Sequence, residues 1–472
     1  MKPNRCHLAP LVVVVLILGL GPGVVIALES EGAGESNPAA DWFVGTIDAI
    51  REVGYNVSVA TDPETGETYI SYYEGVDGDL WLARTGAPVG NCGPGNTWKC
   101  QVLDSTGVVG KYSSIAVGGQ GPLAKLFISY HDVNSGSLKV FEGEVDRATG
   151  VLSGAPYIVD QGTPAGGVYI GTATAAAISD SGTAHIAYQE TSGATKAVKH
   201  ATKVIPSFGN CGPGDSWRCG TIHLDVEVGD FIDIDIAPDG DPVIAFSSAS
   251  GNDAYPVIAS RVASGGSCNS SDVWNCSFIH HSWFETGEYV SIAIDDDSLY
   301  LAYRNESTRM LEVASLVGAA NGNWGLWDSY QCDSIDDMGL GGVPSGIDME
   351  IDDDGHPIIA YHDLESGFHD LKIAWPVGGL SLLGNCGPLN ALMLHMWRCE
   401  TLNEGDVSHA EAYGGLSIAL NANGEAAVAY RELFDPILSP EEGRLKVALE
   451  PISIFLDGFE SGDTLEWTDT VP

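Results

Sequence analysis

The sequence predicts an all-β protein, a seven-bladed β-propeller of four-stranded antiparallel blades whose ring is closed by the N-terminal strand. An aromatic residue that ends an apolar segment recurs seven times, at intervals of 57 or 58 residues and a last interval of 69. Each repeat contains four short apolar segments separated by Gly, Asp, Asn and Pro turn signals, with no helical period, which is typical of propeller blades. The recurring residues are Tyr72, Tyr130, Tyr188, Phe246, Tyr303, Tyr361 and Tyr430.

The two ends of the repeat region, residues 41–450, predict how the ring closes. The first segment, 41–48 (DWFVGTID), matches the fourth strand of other repeats, such as WKCQVLD, whereas the last repeat stops after its third strand, RLKVALE. We therefore expect the N-terminal strand to complete the last blade, because this removes both open sheet edges.

The chain before and after the repeats carries export signals. Lys2 and Arg5 precede an apolar run that ends in small residues near Ala27, which predicts a signal peptide over 1–27. A membrane anchor is the alternative, but glycines and a proline interrupt the run. We expect a disordered linker over 28–40, a C-terminal tail over 451–472, and a secreted or cell-surface protein.

The charge of the chain limits its partners. It contains 64 acidic and 21 basic residues, a net charge of −43, so nucleic acid would be repelled. Solubility in a salty medium accounts for this charge, and cation binding is the alternative. No later segment is apolar enough to span a membrane, so we expect no stable membrane insertion after signal cleavage. We also expect a monomer.

Recurrent local cysteine pairs predict disulfides, since an exported chain meets an oxidising environment. Three pairs share the spacing C-x7-C and a fourth has a longer loop. Zinc knuckles are excluded because neither Cys-x2-Cys spacing nor clustered histidines accompany the cysteines. Cys332 is left as a free thiol. The predicted pairs are Cys92–Cys100, Cys211–Cys219, Cys268–Cys276 and Cys386–Cys399.

The repeats, as in GKYSSIAVGGQG and FISYHDVNSGSLKV, resemble a widespread bacterial extracellular repeat family of the form Ser-Ile-Ala-Ile-Asp, Gly-x-Pro, Ile-Ala-Tyr-x-Asp, Leu-Lys. The resemblance covers nearly the whole mature chain. It implies a propeller and says little about activity. The tail DGFESGDTLEWTDTVP is similar to a C-terminal segment of exported proteobacterial proteins, which implies export or surface display.

The residue after each repeat aromatic is a candidate for ligand binding. These positions vary from blade to blade, and we expect them on the loop-rich face of the disc, where variation serves a binding site. The acid that usually follows them is expected to bind backbone N–H groups in the loop, and an ion pair with such an acid is the alternative role for the arginines. The candidates are Tyr73, His131, Gln189, Arg304, His362 and Arg431.

Four carboxylates are expected around the propeller axis. The innermost strands carry small residues such as Ser58 and Ala60, but two blades replace them with Asp233 and Asp235, and with Asp348 and Glu350. Unpaired burial of these carboxylates would be costly. Three interpretations remain open: the wall of a water-filled channel, a calcium site made of oxygen ligands, and an acid/base pair for catalysis.

Two kinds of function follow from these features. The favoured hypothesis is a non-enzymatic binding or display protein that, like propeller lectins, recognises a glycan or another surface molecule on the loop-rich face. The alternative is a polysaccharide-acting hydrolase with a carboxylate pair, or a lyase with His131 or His362 as the base. The Asp-box of sialidases is absent.

Overall fold

A computed structural model describes residues 42–49, 52–250, 253–279, 287–296, 298–318, 329–339, 346–363, 370–378, 384–403, 415–435 and 439–450. The predicted signal peptide, linker and C-terminal tail lie outside these ranges. Within them, no helix is long and apolar enough to cross a membrane.

The strands form seven antiparallel sheets, one for each blade of the predicted seven-bladed propeller. Blades 1 to 4 have four strands each, in sequence order from the axis outward. The first strand of the chain is β1 (Phe43–Asp48). The strands of blades 1 and 2 are β2 (Tyr55–Thr61), β3 (Thr68–Glu74), β4 (Asp79–Arg84), β5 (Lys99–Asp104), β6 (Val109–Gly118), β7 (Leu123–Asp132), β8 (Ser137–Asp146) and β9 (Val151–Asp160). Those of blades 3 and 4 are β10 (Val168–Ile178), β11 (Ala184–Ser192), β12 (Thr195–Lys203), β13 (Trp217–Asp225), β14 (Glu227–Ile236), β15 (Pro242–Ser250), β16 (Asp253–Arg261) and β17 (Trp274–Phe278).

Blade 6 departs from the four-strand pattern. Its long disulfide loop adds a short fifth strand, β25, which pairs with the outer strand β26. The strands of blades 5 to 7 are β18 (Glu288–Ile294), β19 (Leu299–Asn305), β20 (Met310–Leu316), β21 (Tyr330–Asp337), β22 (Ile347–Ile351), β23 (Pro357–Asp363), β24 (Asp370–Pro376), β25 (Cys386–Leu389), β26 (His395–Asn403), β27 (Leu416–Leu420), β28 (Ala426–Asp435) and β29 (Ser439–Leu449). Three single turns of 3-10 helix occur at Pro94–Asn96, Pro164–Gly166 and Pro213–Asp215.

The ring closes as the sequence predicts. Strand β1 pairs antiparallel with β29 and becomes the outermost strand of blade 7, in the order β1-β29-β28-β27. Apolar side chains then pack across the closure: Ile47 and Val447 of blade 7 share one buried cluster with Ile70 of blade 1. Strand β29 is thereby paired on both sides, with β28 and with β1.

All four predicted disulfides are present, with Cα–Cα distances of 4.9 to 6.0 Å. Cys332 is buried and forms no disulfide with the described cysteines, also as predicted. The disulfides lie in connections between third and fourth strands. Because antiparallel strands alternate in direction, these loops share one face of the disc, the lower face, with the turns between first and second strands. The upper face carries the connections between second and third strands and those between blades.

In four of the seven blades, the repeat aromatic ties the blade to the one before it. The Tyr130 hydroxyl donates to Asp104 Oδ2 (2.7 Å), at the end of the previous blade's outer strand, and Lys139 forms an ion pair with the same oxygen. Burial opposes ionisation of Asp104, but the hydrogen bonds from Lys139 and Tyr130 outweigh it and lower the carboxyl pKa. Three further tyrosines bind the same kind of aspartate: Tyr72 with Asp48, Tyr188 with Asp160, and Tyr361 with Asp336.

Removing the charge of this buried aspartate should loosen the contact between blades 1 and 2. We expect Asp104→Asn to lower the free energy of unfolding by about 3 kcal/mol, because it leaves the Lys139 ammonium buried without a counter-charge. Urea unfolding followed by tryptophan fluorescence measures the change. Glu144→Gln, an exposed change in blade 2, the blade of Lys139, is the control. Equal stability of the two variants would contradict the role assigned to Asp104.

Candidate functional site

The innermost strands surround an axial channel whose wall is made of the predicted small and acidic side chains. Three connected cavities follow the axis: an upper mouth of about 200 Å³, a central segment of about 270 Å³ and a wide lower mouth of about 1090 Å³. The four predicted carboxylates, Asp233, Asp235, Asp348 and Glu350, all line the central segment. The sequence prediction that they gather around the axis is therefore confirmed.

Backbone N–H groups of the innermost strands explain why polar side chains recur at this level. In six of the seven blades, the N–H after the axial position donates to a side-chain oxygen of the preceding blade, at 2.8 to 3.1 Å. We call this the axial hydrogen-bond ring. Its donor and acceptor pairs are Val59–Ser417, Ile115–Ser58, Ala176–Ser114, Ile292–Asp233, Met349–Ser291 and Ile418–Asp348.

Alanine interrupts the ring at one blade only. Ala175 of blade 3 has no side-chain oxygen to offer, and the N–H that it would serve, that of Ile234, donates instead to Asp233 Oδ1 (2.8 Å). Asp233 therefore binds two successive N–H groups, one with each oxygen, which a serine hydroxyl cannot do. This explains an aspartate at the first of the two acidic blades.

A serine hydroxyl joins the two aspartates of the ring. Ser291 Oγ lies 2.9 Å from Asp233 Oδ2 and 3.1 Å from Asp348 Oδ1. It has a single proton to donate, so it can satisfy only one carboxylate, and the other carboxyl binds the serine oxygen best when it is protonated itself. We call Asp233 and Asp348 the axial dyad, and Ser291 its bridging serine. The arrangement favours one shared proton on the two carboxyls.

The pKa values of the channel carboxyls shift in the direction that this sharing requires. Burial raises the pKa of Asp233 to about 7, with a further contribution from the negative charge of Asp348, and its hydrogen bonds only partly oppose the shift. Burial also raises the pKa of Asp348 and brings that of Asp235 to about 6. Glu350, which forms no hydrogen bond with the described residues, has a pKa well above its ordinary range through burial and then the nearby aspartates.

Aromatic side chains form the upper mouth above the dyad. Tyr112, Phe231 and Tyr289 line this cavity together with Asp233 and Asp348. The rings of Phe231 and Tyr289 have centroids 4.2 Å apart. Tyr112 and Tyr289 adopt left-handed backbone conformations, with φ of 58° and 54°. Such conformations are unfavourable for aromatic residues and occur most often at functional sites.

The lower mouth is acidic and its aspartates serve the turns. Asp352 Oδ1 accepts the backbone N–H groups of Asp354 and His356, and Asp295 Oδ1 accepts that of Ser298. These contacts close the turns between first and second strands, which are rich in Asp. Within the described residues, no group of three or more His, Cys, Asp or Glu is arranged to hold a metal ion. Calcium binding stays a prediction.

The six predicted ligand-binding residues are all buried, in contrast to their expected position on the open loop face. The strands run past the repeat aromatic, so the next side chain points into the space between blades. His131 Nδ1 donates to the Ile170 carbonyl of the next blade (2.8 Å). Gln189 Nε2 makes the equivalent bond to Val228 (2.8 Å) and a second one to Asp230. The geometry therefore assigns these two side chains to the contact between blades.

The other four candidates also lie in the interior. Arg304 pairs with Glu306 (3.1 Å), the alternative that the sequence left open. The Arg431 guanidinium lies 3.7 Å from the centre of the Tyr55 ring. Tyr73 packs against the same ring, and His362 is fully buried. A direct role of the six residues in ligand binding stays a prediction.

Sequence reasoning missed the aromatic upper mouth and the bridging serine. Tyr112, Phe231 and Tyr289 each stand two residues before the axial position of their blades. Aligning the repeats at that position would have revealed aromatic residues in three of seven blades. No sequence signal indicates that Ser291 bridges two aspartates, because the three residues belong to different blades.

No model of a known protein family matches the chain, and no curated protein matches it significantly. Among solved structures, the α-L-arabinofuranosidase Arb93A from Fusarium graminearum is 10% identical, with a TM-score of 0.40, over 86% of this chain and 97% of that one. The polysaccharide lyase Uly1 is 10% identical, with a TM-score of 0.36, over 71% and 89% of the two chains. A thermostable family-43 glycoside hydrolase is 12% identical, with a TM-score of 0.31, over 62% and 93%.

These comparisons correct the favoured hypothesis from the sequence, a non-enzymatic binding or display protein. The similar structures are those of glycoside hydrolases and a polysaccharide lyase, which are the classes of the alternative hypothesis. At such low identity and TM-score, the likeness assigns no substrate and no catalytic residue. Any assignment has to come from the axial site.

The raised carboxyl pKa values predict a stability that falls with rising pH. A group whose pKa is higher in the folded than in the unfolded state stabilises the fold fully below its unfolded pKa, here 3.8, and loses this contribution as pH rises through its folded pKa, about 7 for Asp233. Since one pKa unit corresponds to ~1.4 kcal/mol, we expect the unfolding free energy to fall by a few kcal/mol over this range.

Urea unfolding at a series of pH values measures this slope. The double variant Asp233→Ser/Asp348→Ser should flatten it, whereas Glu144→Gln should keep it. Asp235 and Glu350 leave a residual slope in the double variant, because their pKa values are raised too. A slope unchanged by the double substitution would show that the dyad does not share a proton.

Proposed function

We propose that the protein is a polysaccharide-acting glycoside hydrolase whose catalytic carboxyls are Asp233 and Asp348. One observation carries the proposal: the Ser291 hydroxyl lies within hydrogen-bond distance of both aspartate carboxyls. Since it has one proton to donate, this arrangement favours one protonated and one ionised carboxyl at neutral pH. Hydrolysis of a glycosidic bond by two carboxyl groups needs this division into an acid and a base or nucleophile.

The spacing of the dyad favours a retaining mechanism. The distances to Ser291 Oγ, 2.9 and 3.1 Å, limit the separation of the nearer Asp233 and Asp348 oxygens to about 6 Å. Retaining enzymes hold their carboxyls about 5–5.5 Å apart, whereas inverting enzymes need more space for a water molecule. In this mechanism Asp233 protonates the glycosidic oxygen while Asp348 attacks the anomeric carbon. Water, deprotonated by Asp233, then releases the sugar from Asp348 and returns the proton to Asp233.

The upper mouth supplies binding groups for a sugar. Its aromatic rings present flat apolar surface to the C–H groups of a pyranose or furanose, while Asp230 and the backbone can bind hydroxyls. Asp230 is held in place by Lys196 (2.6 Å) and by Gln189 (2.9 Å). A sugar seated against Tyr112 and Tyr289 would lie directly above the dyad.

A second candidate reaction, β-elimination, has one specific observation in its favour. The Nδ1 proton of His131 is committed to the Ile170 carbonyl, which leaves Nε2 unprotonated, and no hydrogen bond joins Nε2 to the described residues. Burial lowers the His131 pKa and keeps the ring neutral, as a general base requires. Tyr112 lies next to it, with ring centroids 6.2 Å apart.

We propose an exported enzyme. Four disulfides form readily only in an oxidising compartment, which supports secretion or display at the cell surface. A polysaccharide too large to enter a cell is a fitting substrate for a protein in that location.

A screen of plant and algal polysaccharides tests the proposed function with two readouts, new reducing ends and the ultraviolet absorbance of unsaturated uronates. We expect new reducing ends without absorbance, and an activity loss of about 10³-fold or more in Asp348→Ser. Serine is the ring residue of four other blades and keeps the hydrogen bond to the Ile418 N–H, so the variant should fold. Glu144→Gln should stay fully active.

Three results would contradict the hydrolase. An Asp348→Ser protein as active as the wild type would leave the aspartate with a structural role alone. Unsaturated products lost in His131→Ala would assign the reaction to the second candidate. No turnover of any polysaccharide in the screen would exclude both reactions for the substrates tested.

A further inference from the structure

A cleft runs outward from the upper mouth between blades 1 and 2. It has a volume of about 160 Å³ and shares two lining residues, Asn56 and Tyr112, with the axial cavity. Its other walls include Tyr55, Tyr73 and Lys111. Because the two cavities share a wall, a chain molecule seated at the axis can continue into the cleft.

Tyrosine rings give the cleft a fixed apolar surface. Tyr55 and Tyr73 pack edge to face, with centroids 6.1 Å apart. The Arg431 guanidinium lies 3.7 Å from the centre of the Tyr55 ring and is itself buried, so it fixes the orientation of the ring. Rigid rings beside a catalytic cavity form a platform on which a sugar can stack at little cost in conformational entropy.

Lys111 gives the cleft a positive charge. Its ammonium lies 5.5 Å from the centre of the Tyr73 ring, and no ion pair links it to the described carboxylates. Six other lysines pair with Asp or Glu: Lys139, Lys196, Lys199, Lys203, Lys372 and Lys446. Among the described lysines without such a pair, Lys99 and Lys125 do not line the cleft, whereas Lys111 does.

The charge of the cleft selects the chemistry of its ligand. Partly exposed and backed by tyrosines, the Lys111 ammonium can form a charge-assisted hydrogen bond with an anionic oxygen. The strong negative charge of the remaining surface repels anions elsewhere, so an anionic group is drawn to this position. Glu52 also lines the cleft, has a partner of its own, and can accept a sugar hydroxyl.

We propose that this cleft is a subsite for a sugar residue that carries a carboxylate or a sulfate, so that the substrate is an acidic polysaccharide. The acidic group binds Lys111 and the sugar ring packs against the half-buried Tyr55 and Tyr112, next to the sugar at the axial site. This inference rests on the proposed function, and it adds the class of substrate.

A polysaccharide array tests the proposal with protein carrying Asp348→Ser, which should bind its substrate without cleaving it. The array holds neutral polymers (arabinan, galactan, xylan, mannan), carboxylated ones (polygalacturonate, alginate) and sulfated ones (carrageenan, fucoidan). We expect retention on acidic polymers only, and the two acidic groups distinguish carboxylate from sulfate. Adding Lys111→Met should weaken binding about tenfold or more, because a charge-assisted hydrogen bond is lost.

Two further variants separate recognition from damage to the fold. Lys99→Met removes a lysine of the lower face, where β5 begins, and should leave binding unchanged. Lys111→Arg keeps the positive charge that Lys111→Met removes. It should therefore keep most of the affinity of the protein with Lys111. Retention on neutral polymers, or equal binding by Lys111→Met and Lys99→Met, would overturn the acidic subsite and leave the hydrolase standing. No retention on any polymer would count against both.

Discussion

The axial hydrogen-bond ring is the constraint on which the functional site depends. At six of the seven contacts between innermost strands, a backbone N–H donates to a side-chain oxygen of the preceding blade. Four serines and two aspartates supply it. A buried N–H without an acceptor costs roughly 1–3 kcal/mol, so the position tolerates few residue types. An aspartate is one of them, and it places a carboxyl in the channel at no loss of the ring bond.

Packing and chemistry are therefore combined in the same side chains. Asp233 and Asp348 each accept N–H groups as the fold requires, and Ser291 between them favours a proton shared by the pair. Burial raises their pKa values because the channel wall replaces bulk water around them. Farther from the axis, Tyr–Asp contacts hold four pairs of neighbouring blades together.

The sequence predicts most of the fold because each blade repeats the same local pattern. The 58-residue period, the match of 41–48 to an outer strand, and the C-x7-C pairs are all local signals, and the structure confirms the blades, the closure and the disulfides. The fifth strand of blade 6 was not predicted, because it forms in one lengthened loop that the other repeats lack.

The site is harder to predict because it forms between blades. The four carboxylates could be placed at the axis from strand alternation alone. The orientation of His131 and Gln189 could not, since nothing in a single repeat shows that the strand continues and turns the side chain toward its neighbour. The bridge through Ser291 likewise joins blades 4, 5 and 6, and such contacts depend on the ring as a whole.

The shared proton is tested most directly by carbon-13 NMR of protein labelled at the aspartate side-chain carboxyl, titrated across the acid and neutral range. We expect an aspartate resonance that titrates near pH 7, because burial raises the pKa of Asp233 to about 7. This resonance should be absent from Asp233→Ser and should shift to lower pH in Asp348→Ser, which removes the neighbouring charge. Aspartate carboxyls that all titrate below about pH 5, the ordinary range, would contradict it.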